Sequence, residues 1–67
     1  MQLTQAEAQA LQPLLSPLDT ARANLKASID AAANGGNTSP WVVMQQAHAV
    51  ARAALDLALA VTMQVAD

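Results

Sequence analysis

His48 is the chain's single histidine, and its neighbours at helical spacing are Met44, Val50, Ala51 and Arg52. General acid–base or nucleophilic catalysis needs a paired carboxylate or an activated nucleophile beside the imidazole, and none of these residues is one. His48 reads instead as a packing residue that hydrogen-bonds across an interface between copies of the chain. The acidic residues Glu7, Asp19, Asp30, Asp56 and Asp67 are scattered one per few turns, as solvating charges are. The absence of cysteine excludes disulfide staples and thiolate metal sites, and one histidine cannot hold zinc unless several carboxylates converge on it. No catalytic residue, cofactor or metal is assigned, and no enzyme activity is expected.

The residues suited to recognition are of another kind. Trp41 is the one aromatic side chain, at the first turn of a helix beside a loop. It either caps an open bundle end against Ile29 or Ala33, or anchors a partner, because binding hot spots are enriched in Trp and Arg. Arg22 lies beside the apolar stripe formed around Leu18 and Leu25, where it lays its stem along the core edge or makes a rim contact. Leu11, Leu14, Leu15 and Leu18 cluster around Pro13 and Pro17, either as a partner surface or as an arm wrapping a second subunit. The loop Asn34-Gly35-Gly36-Asn37-Thr38-Ser39 puts glycines before a helix N-terminus, a weak anion-binding signal without GxGxxG spacing or a lysine.

Composition bounds the rest. Sixty-seven residues make one small domain, spanning 1–67, and a monomer of such a size buries only about 60% of its unfolded surface. Seventeen alanines and nine leucines with no Phe or Tyr are helix composition, poor in strand formers. Three basic residues against five acidic ones give a net charge of −2, which disfavours nucleic acid as a partner. The N-terminus has neither a basic segment nor an apolar run, so no secretory signal is expected. The greasiest stretch, Ala53 to Ala66, contains Asp56 and falls short of the roughly 20 residues a bilayer requires. A cytoplasmic protein with no membrane partner is the expectation.

The elements that place these residues follow from the punctuation. Thr4 and Glu7 form a T-x-x-E capping box that opens a helix over about 4–12. Pro13 and Pro17 predict a kink at 13–16, with Ser16 as N-cap, Pro17 at N1 and Asp19 in the first turn of a helix over 17–33. Leu18, Ala21, Leu25, Ile29 and Ala32 form its apolar stripe, with Lys26 and Asp30 outside. Asn34-Gly35-Gly36 ends it, and the loop spans 34–39. Ser39 as N-cap and Pro40 at N1 start a last helix over 40–65, close to 40 Å long. The fold class is all-α, an antiparallel helical hairpin with a proline-kinked N-terminal arm.

The last helix carries two apolar seams. Trp41, Met44, His48, Ala51, Leu55, Ala58, Thr62 and Val65 form one; Val43, Ala47, Val50, Ala54, Leu57 and Val61 form the other. Gln45, Arg52 and Asp56 make a narrow polar strip, in which Arg52 and Asp56 are spaced to pair. Two seams imply two neighbours, one from the same chain and one from a two-fold copy. The expectation is a homodimer closing a four-helix bundle, with Met44, His48, Ala51, Leu55, Ala58, Val43, Val50 and Leu57 at its interface. Trp41, Arg22, Leu11, Leu14 and Leu15 are the expected partner contacts.

At Leu11-Gln12-Pro13-Leu14-Leu15 followed by Leu18, and at Ala53-Ala54-Leu55-Asp56-Leu57-Ala58-Leu59, the chain resembles the small quorum-sensing anti-activator proteins of temperate Pseudomonas phages. The likeness extends to length and to the order arm, helix, short loop, longer helix. It implies a dimeric helical phage protein that binds and inhibits a host protein, such as a LuxR-type transcription regulator or the pilus-assembly ATPase. Two other classes compete. One is a protein that sequesters a small anion such as a cyclic nucleotide at helix N-termini; the other is a purely structural oligomerisation module.

Overall fold

The computed structural model describes residues 2–65, and of Val65 the backbone only. Helix α1 spans Gln5–Leu11, a 3₁₀ turn spans Gln12–Leu14, α2 spans Leu15–Ala33 and α3 spans Pro40–Val65. Helices α2 and α3 pack against each other as an antiparallel hairpin, and α1 with the 3₁₀ turn folds onto α3.

The start of α1 is the expected capping box. The Glu7 amide donates to Thr4 Oγ1 at 3.2 Å, and the Thr4 amide donates to Glu7 Oε1 at 2.9 Å. These backbone and side-chain bonds to Thr4 hold the Glu7 carboxyl below its ordinary value of 4.5.

The proline region departs from expectation. The backbone stays right-handed helical through Leu11, Gln12, Leu14 and Leu15, tightening to 3₁₀ geometry over Gln12–Leu14. Thus α2 begins at Leu15, two residues before Pro17. Ser16 lies inside the helix and is not its N-cap; Leu14 holds that place without a side-chain bond. Asp19 lies beyond the first turn. The reason is that the first four amides of any helix lack an internal acceptor, so Pro17 at the third position loses no hydrogen bond. In place of the expected kink at 13–16, the backbone tightens to a 3₁₀ turn over Gln12–Leu14.

At its other end α2 closes with a left-handed glycine. Gly35 has φ 92°, its amide donates to the Ala32 carbonyl at 3.2 Å, and the Gly36 amide donates to the Ala31 carbonyl at 2.8 Å. This is the paired 5→2 and 6→1 pattern of a Schellman cap. Asn34 adds a bond from Nδ2 to the Asp30 carbonyl at 2.9 Å. Ser39 then caps α3: its Oγ accepts from the Trp41 amide at 3.1 Å, and its carbonyl accepts from Val42 and Val43.

Helix α3 has 26 residues against 19 in α2, so its C-terminal end outruns its partner. The N-terminal arm covers that overhang, and Ala60, Val61 and Gln64 are half-buried there. Leu11, in this arm, is the one buried hydrophobic residue among those described, with 8% of its surface exposed. The molecule is a rod of 49 × 17 × 16 Å. Its radius of gyration, 15.5 Å, exceeds the roughly 11 Å of a compact chain of equal length.

Candidate functional site

Everything on α3 is phased by the Ser39 cap, which fixes where the helix begins. Its half-buried residues are Val43, Gln46, Val50, Ala53, Leu57, Ala60, Val61 and Gln64, a run with spacings of three and four. That run is the seam against α2 and the arm. It differs from the seam expected from hydropathy, because Ala47 and Ala54 are exposed while Gln46 and Gln64 turn inward. Three residues assigned to the dimer interface, Val43, Val50 and Leu57, belong to this inner seam. The correction has a simple cause: at 3.6 residues per turn, the side of α3 that turns inward is set by where α2 and the arm lie against it, and Gln46 and Gln64 are carried inward with that side.

The other expected seam stands open. Trp41, Met44, His48, Ala51, Leu55, Ala58 and Thr62 are all exposed, and with Leu59 they form a surface on nearly the opposite side of α3 from α2. Trp41 is 65% exposed and Leu55 57%, values foreign to core residues. Met63, 76% exposed, extends the surface along its edge. The side chain of Val65, the last member of that seam, lies outside the described residues. Trp41 is therefore not covered within its own chain, and Ile29 and Ala33, its expected packing partners, are themselves exposed.

The accessible area measures how much is left uncovered. The chain exposes 5116 Å² at 6.9 kDa, where a compact monomer of that mass exposes about 4,000 Å². The excess, about 1,100 Å², is larger than the roughly 800 Å² each partner gives up in a standard protein–protein interface.

The five expected partner contacts do not converge. Leu11 is buried within its own chain, which removes it from the exposed set. Leu14 is half-buried and lines a shallow groove of about 320 Å³ with Pro17, Ala21, Arg52 and Asp56. Leu15 is exposed at the far end of α2 from the loop, and Trp41 is exposed at the loop end of α3. Arg22 lies between them on α2, in an open groove of about 620 Å³ on the other flank of the hairpin. Leu25, Ile29 and Val50 line it together with the charged groups Asp19, Lys26 and Asp30.

Lys26 is tied to Asp30 by an i, i+4 ion pair, and the hydrogen bond and charge of Asp30 raise its pKa. The expected Arg52–Asp56 pair does not form; among the described residues Lys26–Asp30 is the ion pair present. His48 is exposed on the outer surface of α3. No group of three or more His, Cys, Asp or Glu able to hold a metal occurs among the described residues. No helix among them is long and apolar enough to cross a membrane.

Comparison with known proteins finds no matching family model, no matching curated protein and no matching solved structure.

Proposed function

We propose that the protein is a non-enzymatic inhibitor that acts as a homodimer of two hairpins, four helices in all, and blocks a functional surface of a larger host protein. The observation that carries this reading is the open apolar surface of α3, together with about 1,100 Å² of area beyond what a compact monomer exposes. A contiguous exposed apolar surface marks interaction sites in soluble proteins, because leaving it in water forfeits its burial free energy. A second copy covers the centre of the surface. Trp41 at the loop end, and Arg22 with Ile29 in the flank groove, remain for a heterologous partner.

The class of target follows the resemblance to phage anti-activators: a LuxR-type transcription regulator or a pilus-assembly ATPase in the host cytoplasm. Added to either purified target in stoichiometric amount, the protein is expected to lower DNA binding by the first or ATP hydrolysis by the second. Trp41→Ala is expected to weaken the effect roughly tenfold, as loss of a tryptophan anchor does. A stable dimer that leaves both targets unaffected defeats the inhibitor assignment, and leaves the structural oligomerisation module in its place.

A further inference from the structure

We infer that two copies pair through the outer surface of α3 in an antiparallel register centred on Ala53, so that the two α3 helices form the middle of the dimer and the two α2 helices its outside. The inference rests on the homodimer reading above and names the surface and register by which it is met.

The order of side-chain sizes along the surface carries it. From the loop end the residues run Met44, His48, Ala51, Leu55, Ala58, Thr62, spaced alternately by four and three, as in the core of a coiled coil. In antiparallel packing centred on residue 53, Met44 lies opposite the partner's Thr62, His48 opposite the partner's Ala58, and Ala51 opposite the partner's Leu55. Symmetry repeats each pair. Every layer then joins a large side chain to a small one, which is how facing helices fill the space between them without voids or clashes. A parallel pair sets Met44, His48 and Leu55 each against its own copy and leaves Ala51 and Ala58 facing their equals. Crowded layers at Met44, His48 and Leu55 are then interrupted by hollow ones at Ala51 and Ala58, and hollow layers lower stability.

The register also uses the available length. Centring on residue 53 overlaps the exposed apolar run from Trp41 to Met63 over nearly its whole extent, and Trp41 falls at the end of the overlap, where it stays accessible. The surface bears no charge among its central residues, so pairing desolvates no unpaired ion. Because this surface and the inner seam lie on nearly opposite sides of α3, the four helices form a flattened array in the order α2, α3, α3, α2 rather than a square bundle.

The chain's lack of cysteine makes single-cysteine cross-linking clean. His48→Cys and Ala58→Cys variants of the full-length chain, both at exposed positions, are mixed and oxidised, with helicity checked by circular dichroism. The expected result is a covalent dimer from the mixture and none from either variant alone, because like positions lie ten residues, about 15 Å, apart along the antiparallel pair. Covalent dimers from each variant alone overturn the register in favour of parallel pairing. Dimers in sedimentation equilibrium that give no cross-link in the mixture overturn the choice of surface. A wild-type chain sedimenting as a monomer defeats the homodimer reading itself, a result distinct from the other two.

Discussion

Gly35 is the residue at which the backbone itself limits substitution. Its φ of 92° lies in the left-handed region, where a Cβ is strained, so Gly35→Ala is expected to cost about 1 kcal/mol although no atom stands in the way. Gly36 is limited for another reason: a Cβ there meets the Ala31 carbonyl oxygen at 2.8 Å. The pair was legible as a turn from residue type, but the division of labour between them depends on the closed cap. Leu11 shows the reverse. From the sequence it is one of four leucines around two prolines, and only the folded arm singles it out for burial. Leu11→Ala is expected to cost about 2–3 kcal/mol by urea titration and to speed amide exchange at the C-terminal end of α3, which the arm covers. Glu7 gives a pH dependence. Its carboxylate form is the one bonded to Thr4, so folding lowers its pKa and the cap is fully present above 4.5. The cap is lost as pH falls through the lowered value, and α1 amide signals followed by NMR are expected to report fraying there and not above.

At the scale of the elements, the helix ends were readable because capping is local chemistry. Thr4 with Glu7, Ser39 with Pro40 and Asn34 with Gly35 each act within four residues, and all three take the expected places. Pro17 misled because its type says only that an amide is missing; whether that amide was needed depends on where the helix began. The inner seam of α3 was misread for a related reason. Gln46 sits on it with Oε1 buried and without a hydrogen-bond partner, a position hydropathy alone assigns to a valine or leucine. An orphaned buried acceptor is costly, so Gln46→Leu is expected to raise the stability of the hairpin by about 1 kcal/mol in chemical denaturation. Unchanged or lower stability would show that Gln46 finds a partner in solution. The arm and the overhang of α3 complete the picture: a longer helix needs a second cover, and the residues before the prolines supply it.

For the molecule as a whole, shape is the informative quantity. A rod 49 Å long and 17 Å wide has little interior, and one buried hydrophobic residue among those described is a thin basis for stability. In the proposed dimer, association supplies what the single chain lacks, and it does so by mass action. The melting temperature is therefore expected to rise with protein concentration between micromolar and millimolar, whereas a self-sufficient monomer melts at one temperature throughout. Leu55→Asp, which places a charge at the centre of the outer surface, is expected to abolish that dependence and to sediment as a monomer. Its hairpin contacts lie on the other side of the helix, so residual helicity is retained.

The amino-acid order alone determined that this chain is helical, where α1 and α3 begin and α2 stops, and that its last helix is apolar on more than one side, because propensity, capping and periodicity act over a few residues. Tertiary packing decided which apolar side the chain covers for itself. That choice depends on how α2 and the folded arm sit against α3, a relation between residues far apart in sequence that no local pattern encodes. It placed glutamines inside and Trp41, Met44 and Leu55 outside.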